Sequence, residues 1–459
     1  MAILAPDTSV DATKFSRRRT LINDEDKTNN DAAVRVKRTN NHLLTSRVSH
    51  LRKLEEVGSM PASNIVQTAS EEVDEKVSSS SSSSSCPAWG EFRNQYPAIG
   101  RTTIELVDKS RNYRTLAADV WYPAENNGEQ LSNYMPMGLP ASMTNGLYVA
   151  LDSPRVFPPP QNNGTNGYPL LIFSMGADAM RIQSSRLMEH LASWGFVVVS
   201  PDHPGNSFDD PTFSNIPFKV EDRPKDVSLV IDNMLSPEYV DRFHLQHARD
   251  NGVGVLGHSY GGLTSLLVAP NAQEWSDNRV KAIMPMSPTV EASDEEIQNA
   301  DVDFGEGMTS DLIQKRLPNV VVPTMVIGGE NDIWTPVDRH NLAVYEKTNG
   351  LPRWNVVIPG AGHISFADTC PLFDKFAWVL GLGEDLAYTM MGGGDKELGK
   401  DRMSQSFCDN NDEVISLLGY YTVAFFSAML LLEGDERDHA IECMNAQSDS
   451  LSTYEFLDV

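Results

Sequence analysis

The sequence predicts an α/β fold, with a mostly parallel central sheet and helices on both faces. Short apolar runs that are typical of buried strands alternate with helical segments from about residue 88 onward. One strand-to-helix junction also contains Gly257-His-Ser-Tyr-Gly261, which fits the pattern Gly-x-Ser-x-Gly. Because ligands of such sheets bind outside the carboxyl ends of the strands, we expect the functional residues to follow strand ends.

The first half of the domain is predicted to contain a hairpin followed by alternating strands and helices. Its elements are the hairpin strands Thr102–Val107 and Leu116–Tyr122, the strand Leu170–Ser174, the helix Ile182–Trp194, the strand Phe196–Ser200 and the helix Arg223–Leu235. The strands are short runs rich in β-branched, aliphatic and aromatic residues. Gly195 ends the first helix, as glycine often does.

The second half continues the alternation around the Gly-x-Ser-x-Gly segment. Its elements are the strand Asn251–Leu256, the helix Gly262–Ala269, and the strands Lys281–Pro285, Val320–Ile327 and Trp354–Ile358. Pro270 stops the helix. The longest uncharged stretch, Val414–Leu432, is long enough to span a membrane. Polar residues interrupt it, however, and we expect a buried C-terminal helix with no stable membrane span.

Residues 1–87 differ in composition from the rest of the chain. They are rich in Asn, Asp, Thr, Arg and Ser, and Ser78–Ser85 is an unbroken run of serine. This composition buries too little apolar surface to order itself, which predicts a disordered tail and a flexible linker. Residues 88–459 are predicted to form one catalytic domain with insertions near 125–167, 205–222 and 289–317. Such insertions are either lids and pocket walls or solvated surface loops.

The overall charge narrows the classes of partner. A net charge of −26 argues against nucleic acid, whose phosphates require clustered Lys and Arg, and against adsorption to an anionic membrane surface. The amino terminus has no basic start followed by an apolar core, so no signal peptide is recognisable. A cytoplasmic location is the default expectation, with export or organelle targeting left open.

Four cysteines, Cys86, Cys370, Cys408 and Cys443, are too few for a disulfide scaffold. They form no Cys-x-x-Cys pair, so they do not indicate a metal or redox site. We expect reduced, unpaired thiols, although the even number permits one or two disulfides if the protein is exported.

The Gly-x-Ser-x-Gly segment predicts a sharp turn that presents Ser259 as a nucleophile above the sheet. Its two glycines are explained by the turn, which leaves no room for side chains there. A serine hydroxyl needs a base, usually a histidine that is oriented by a carboxylate. Both should follow Ser259 at strand ends, and the chain offers Asp332 and His363 in two glycine-marked turns. Glu330, two residues before Asp332, is an alternative acid.

Position also assigns roles to the residues around the predicted nucleophile. Backbone N–H groups must stabilise the charge that develops on an ester oxygen. We expect one donor from Tyr260, directly after the nucleophile, and the second from Ala177, in the loop after the strand Leu170–Ser174. His258 adjoins the nucleophile, but its side chain is expected to point away from the active face. His203 is expected to be a packing residue in its loop.

Several segments together resemble a known group of enzymes. They are Ala118–Pro123, Arg181–Gly205, Arg223–Val227 and Gly257–Gly262. These segments resemble the α/β-hydrolases related to platelet-activating-factor acetylhydrolase, to predicted dienelactone hydrolases and to bacterial polyester hydrolases. The resemblance covers roughly residues 98–433 and implies an α/β-hydrolase fold. It also implies a carboxylic-ester hydrolase that needs neither a metal nor another cofactor.

The chain departs from individual members of this group. Dienelactone hydrolases use a cysteine nucleophile where this chain has Ser259. Acetylhydrolases place their acid directly after one particular strand. In this chain that strand ends with the segment Met284–Pro288, and the segment contains no carboxylate. The acid is therefore expected one strand later, at Asp332, as in the polyester hydrolases. The oxyanion loop contains Met175-Gly176 where His-Gly is expected, with Asp178 nearby. Chlorophyllases are also similar, but Tyr260 and the position of the acid fit them less well.

The expected activity is hydrolysis of a small or lipophilic ester through an acyl-enzyme. Lipid or pigment ester hydrolysis, as by a phospholipid acyl hydrolase or a chlorophyllase, is the alternative. A catalytically silent binding protein and acyl transfer to an alcohol are further hypotheses. Apolar residues of the insertions line a substrate pocket or are ordinary core; they are Tyr134, Met135, Met137, Leu147, Tyr148, Phe157, Phe208, Phe213 and Phe218.

Overall fold

The computed structural model of the chain describes residues 85–93, 96–128, 132–133, 149–152, 154–159, 166–207, 220–270, 275–290, 315–368, 411–448 and 453–457. All of them belong to one unit, Ser82–Val459. Nearly all of the predicted tail, most of the three predicted insertions, Cys370 and Cys408 lie outside these residues. Of the apolar insertion residues, Phe157 alone is described, and its ring packs edge-to-face on Tyr96 at 5.7 Å. The division of the chain at residue 87 stays a prediction.

Eleven strands of the described chain form one sheet. They are β1 (Ala98–Asp108), β2 (Arg114–Ala124), β3 (Ser132–Asn133), β4 (Val149–Asp152), β5 (Leu170–Ser174), β6 (Val197–Pro201), β7 (Val253–His258), β8 (Val280–Met286), β9 (Thr324–Gly329), β10 (Arg353–Ile358) and β11 (Thr453–Leu457). Their order in the sheet is β11-β10-β9-β8-β7-β5-β6-β2-β1-β4-β3. From β10 to β6 every pairing is parallel, which confirms the predicted mostly parallel sheet. The hairpin β1–β2 and the last strand β11 join this part in antiparallel pairings.

Helices cover both faces of the sheet, as predicted. In the described residues they are α1 (Ser185–Ser193), α2 (Asp222–Met234), α3 (Pro237–Phe243), α4 (Gln246–Asn251), α5 (Tyr260–Val268), α6 (His340–Lys347), α7 (Asn411–Leu430) and α8 (Gly434–Ser448). The helices and the sheet enclose two apolar cores. One core includes Val230 of α2 and Leu266 of α5, and the other includes Leu191 of α1 and Phe425 of α7. Strands β5, β6 and β7 are buried along their whole length, as expected for a parallel sheet covered twice.

The ends of the elements differ from the predicted ends by a few residues. Strand β9 begins at Thr324 rather than at Val320, because Pro318 lies in a short 3-10 turn and Pro323, which has no N–H, precedes the strand. The helix predicted from Ile182 begins at Ser185. The helix after the Gly-x-Ser-x-Gly segment begins at Tyr260, so it starts directly after Ser259.

Helix α7 contains the uncharged C-terminal stretch. By length and composition, residues 412–430 are apolar enough to cross a membrane, yet 67% of that stretch is buried inside the protein. Its buried side chains, including Leu418, Tyr421 and Phe425, pack in the core beside β7, β8 and α1. The helix is therefore packed against the sheet, in agreement with the predicted buried helix.

The expectation of unpaired thiols is wrong for two of the four cysteines. Cys86 and Cys443 form a disulfide with 5.6 Å between their Cα atoms. The physical reason lies in the segment after Cys86, which packs on the C-terminal helices and brings the two residues together. Trp89 of this segment stacks edge-to-face on Tyr420 at 5.4 Å, and its carbonyl accepts a hydrogen bond from His190. A pairing between residues so distant in the chain cannot be deduced from the sequence alone.

Replacing Cys86 with serine is expected to lower the free energy of unfolding by about 2–5 kcal/mol, because the cross-link constrains the unfolded chain. Cys86 is exposed, so the change opens no cavity in the core. The measurement is equilibrium unfolding without reductant, with reduced wild-type protein as the control. Equal unfolding midpoints for Cys86→Ser and oxidised wild type, together with no Cys86–Cys443 peptide in a non-reducing digest, would contradict the bridge.

Candidate active site

Ser259 occupies the sharp turn between β7 and α5. Its backbone has φ 56° and ψ −119°, a conformation that non-glycine residues rarely adopt. A Cβ at Gly257 would lie 2.3 Å from the carbonyl oxygen of Gly261, and a Cβ at Gly261 would lie 1.8 Å from that of Ser174. Both distances are impossible for real side chains, so the turn requires glycine at these two positions. The strain and the tight contacts are those predicted for a turn that presents a nucleophile.

Asp332 and His363 form a buried hydrogen-bonded pair. The Nδ1 atom of His363 lies 2.8 Å from Oδ2 of Asp332. Asp332 follows β9 and His363 follows β10, so two neighbouring parallel strands deliver them to the same edge of the sheet. The two turns are also joined through their backbones, because the N–H of Asn331 donates to the carbonyl of Ala361 at 2.9 Å. The structure thus brings these two predicted site residues into contact.

The surroundings of Asp332 keep its carboxylate ionised. Its Oδ1 accepts the backbone N–H groups of Trp334 and Thr335, and its Oδ2 accepts the Thr335 hydroxyl at 2.7 Å. Burial by itself raises the pKa of Asp332, but the charge of His363 and these hydrogen bonds outweigh burial and hold the pKa below its ordinary value. Asp332 can therefore accept the Nδ1–H of His363 and orient the ring.

Glu330, the alternative acid, is bound elsewhere. Its Oε2 accepts the backbone N–H of Gly360 at 3.0 Å, and the residue is exposed. The acid that contacts the histidine is therefore Asp332, as the sequence favours.

His258 links the turn of Ser259 to the turn of His363, which the sequence did not predict. Its Nε2 donates to the backbone carbonyl of His363 at 2.8 Å, and the two rings lie 4.7 Å apart. Burial first, and then repulsion from His363, lower the pKa of His258 to about 3, so the ring is neutral. A neutral ring that donates through Nε2 accepts through Nδ1, and Gln183 donates to that atom at 2.7 Å. The sequence predicts a side chain that points away from the active face; in the structure it is buried and contacts the backbone carbonyl and the ring of His363.

The two predicted oxyanion donors lie at suitable places in the fold. The N–H of Tyr260 belongs to the first residue of α5, where backbone N–H groups have no partner within the helix. In the loop after β5, the N–H of Gly176 donates to Oε1 of Gln183 at 2.7 Å, so the next N–H, that of Ala177, is the candidate donor. Asp178 accepts a hydrogen bond from Asn206 at 3.0 Å, which directs its carboxylate toward that side chain.

His203 takes part in a second Ser–His–Asp chain. Its Nε2 lies 3.0 Å from Oγ of Ser174, and its Nδ1 lies 3.0 Å from Oδ2 of Asp226. All three side chains are completely buried, so no substrate reaches the Ser174 hydroxyl. His203 is thus a packing residue, as expected, and its chain of hydrogen bonds ties β5 and β6 to α2.

Exposed apolar side chains stand beside the histidine. Trp334 is 39% exposed and Ile333 is 60% exposed, although both follow the buried Asp332 directly. The ring of Trp334 lies 4.9 Å from that of His363. An apolar surface therefore adjoins His363.

One group of described residues brings three possible metal-donor atoms within 4.8 Å of one another, namely those of Cys86, His439 and Cys443. Its two sulfur atoms are joined in the disulfide. His439 and Cys443 of this group belong to helix α8, whereas Asp332 and His363 follow β9 and β10.

Comparisons with known proteins agree with this architecture. The family model described as alpha/beta hydrolase fold matches residues 168–319, and that of platelet-activating factor acetylhydrolase, isoform II, matches residues 108–226. A probable 1-alkyl-2-acetylglycerophosphocholine esterase of Arthroderma benhamiae is 28% identical over 131 residues, which cover 25% of this chain. The match spans only 31% of that relative's length.

A solved structure, the ferulic acid esterase from Streptomyces cinnamoneus, has a TM-score of 0.50 and 18% sequence identity. The alignment covers 80% of this chain and 98% of that one. At this level of identity the similarity shows a shared fold. The α/β-hydrolase fold expected from the sequence is confirmed.

Proposed function

We propose that this chain, which has the α/β-hydrolase fold and resembles platelet-activating factor acetylhydrolase isoform II over residues 108–226, is a carboxylic-ester hydrolase with Ser259 as its nucleophile. The observation that carries the proposal is the buried Asp332–His363 hydrogen bond, in a turn that contacts the turn of Ser259 through His258. A strained serine turn and a histidine that is oriented by a carboxylate are two parts that nucleophilic acyl transfer needs.

In the proposed reaction, Oγ of Ser259 attacks the ester carbonyl carbon while Nε2 of His363 takes the hydroxyl proton. Asp332 accepts Nδ1–H and stabilises the resulting imidazolium without taking the proton itself. The N–H groups of Tyr260 and Ala177 stabilise the oxyanion. His363 then donates its proton to the alcohol oxygen as the carbon–oxygen bond of the ester breaks. The alcohol departs, and the acyl group remains bound to Ser259 as an acyl-enzyme. A water molecule that gives its proton to His363 attacks this acyl group and releases the acid, and the proton returns to Oγ.

We propose an ester with a lipophilic part as the substrate. The apolar surface of Ile333 and Trp334 beside His363 supports this choice. The relative from Arthroderma benhamiae is named for an acetyl ester of an alkyl glycerophosphocholine, which has a short acyl group and a lipophilic remainder. A panel of esters from acetyl to long acyl chains, with a phytyl ester included, tests this choice and the chlorophyllase-like alternative.

The test that separates a hydrolase from a silent binding protein is labelling with a fluorophosphonate probe. We expect wild-type protein to be labelled at Ser259 and to hydrolyse a short nitrophenyl ester, because only an activated serine reacts. Absence of both labelling and hydrolysis in folded protein would favour the silent fold. Product analysis with an added alcohol distinguishes hydrolysis from acyl transfer.

Replacing Trp334 with alanine is expected to raise KM for a lipophilic ester about tenfold and to change kcat little. The indole lies against the His363 ring, and its loss removes apolar contact area worth about 1–2 kcal/mol for a half-exposed side chain. The measurement is steady-state kinetics with two nitrophenyl esters of different chain length. Val321→Ala, an exposed apolar residue away from the two site turns, is the control. Equal KM values in wild type and Trp334→Ala for both esters would refute a role in substrate binding.

A further inference from the structure

Arg223 is an arginine with no exposed surface at the start of α2. Its guanidinium donates from Nη1 to the carbonyl of Met175 at 2.5 Å and from Nη2 to the carbonyl of Gly176 at 2.8 Å. It also donates to the backbone and side-chain oxygens of Asn206. Two of its bonds thus go to consecutive carbonyls of the loop that carries the predicted donor Ala177.

Placing a guanidinium in the interior carries a large desolvation cost. Burial lowers the pKa of Arg223 to about 10, while Tyr260, Asp178 and Asp226 act in the opposite direction. The side chain therefore stays charged at neutral pH, and a charged donor forms stronger hydrogen bonds with carbonyls than a neutral one. The charged guanidinium of Arg223 therefore forms strong hydrogen bonds with the carbonyls of this loop.

The planarity of the peptide bond carries this restraint to Ala177. In a trans peptide the C=O of one residue and the N–H of the next point to opposite sides. Arg223 holds the C=O of Gly176 toward the buried side, so the N–H of Ala177 is directed away from Arg223. The neighbouring N–H, that of Gly176, is occupied by Gln183, so the loop has a single defined orientation.

The same guanidinium also contacts the second half of the predicted oxyanion hole. It lies over the ring of Tyr260, 4.9 Å from the ring centre. Tyr260 is the residue whose N–H follows the nucleophile, and its ring is buried. One side chain therefore touches both segments that supply the predicted donors.

We propose that Arg223 is a positioning residue for the oxyanion hole. It fixes the orientation of the Gly176–Ala177 peptide and of the Tyr260 side chain. This role rests on the proposed esterase function. The planar fork spans two carbonyls at once, whereas a lysine ammonium carries the same charge without the fork. Arg223→Lys therefore keeps the buried charge and removes the planar fork that spans the two carbonyls.

The experiment compares Arg223→Lys with Arg114→Lys. Arg114 is the matched control because it is also largely buried near α2, where it binds Asp226 and the carbonyl of Pro204. We expect Arg223→Lys to lower kcat for a nitrophenyl ester about 10²-fold, as for loss of an oxyanion donor, with KM changed less than about threefold. Arg114→Lys should retain kcat within about threefold. Thermal unfolding of both variants shows that they are folded.

Hydrogen exchange supplies a readout that does not depend on esterase activity. We expect the peptide that contains residues 175–179 to exchange faster in Arg223→Lys than in wild type or Arg114→Lys. Unchanged exchange in that peptide, or an equal loss of kcat in both variants, would overturn the positioning role. If wild-type protein hydrolyses no ester, the proposed function fails, and the exchange comparison still decides whether Arg223 orders the loop.

Discussion

Replacing Ser259 with alanine is expected to lower kcat for a nitrophenyl ester by about 10⁴- to 10⁶-fold and to abolish fluorophosphonate labelling. Alanine, like serine, has a Cβ, so the backbone strain at φ 56° is the same in the variant as in wild type. The variant should therefore fold and unfold like wild type. The loss is large because no other group replaces the nucleophile, and only binding and the oxyanion donors remain. The measurements are steady-state kinetics, probe labelling and thermal unfolding.

Ser174→Ala is the matched control for this change. Ser174 also hydrogen-bonds a histidine that is paired with an aspartate, but it is fully buried. We expect this variant to retain kcat within a few-fold and to lose about 1 kcal/mol of stability with the hydrogen bond. Full activity in Ser259→Ala, or a loss of activity confined to Ser174→Ala, would refute the assigned nucleophile.

Replacing Asp332 with asparagine is expected to lower kcat by about 10⁴-fold with KM nearly unchanged. In wild type, the carboxylate of Asp332 accepts a hydrogen bond from the Nδ1–H of His363. In the variant, the asparagine amide donates a hydrogen bond to Nδ1 instead. The proton of the ring then sits on Nε2, the atom that must accept the serine proton. The imidazolium also loses the neighbouring negative charge that stabilises it.

Glu330→Gln is the control for this prediction, because Glu330 lies in the same turn and binds Gly360. We expect it to retain kcat within about threefold. Should Glu330→Gln lose activity while Asp332→Asn keeps it, Glu330 would be the acid. Thermal unfolding of each variant checks that it is folded.

The part of the site that could be predicted from the sequence is the part set by chain order. In a parallel sheet, turns at the carboxyl ends of successive strands meet at one edge, so Asp332 and His363 could be expected to meet. The glycines around Ser259 could be explained in advance, because a tight turn excludes side chains. The ends of β9 were harder to predict, since apolar residues near Pro323 resemble the strand itself.

The remaining features depend on contacts between segments distant in the chain. The ring of His258 reaches the carbonyl of His363, a residue 105 positions later, and this contact could not be expected from the sequence. Nothing in the pattern around Arg223 distinguishes a buried arginine from a surface one. The sequence favours Asp332 over Glu330, but it does not show the partner of Glu330, which is the backbone N–H of Gly360.

The Cys86–Cys443 disulfide joins residues separated by 357 positions and so closes the chain between them into a covalent ring. The ring includes β1 to β10, both predicted turns of the site and the strained turn of Ser259. A single proteolytic nick anywhere between residues 87 and 442 therefore leaves both fragments attached to each other until the bridge is reduced. The nicked protein would migrate as one species on a non-reducing gel, and its two fragments would appear only after reduction.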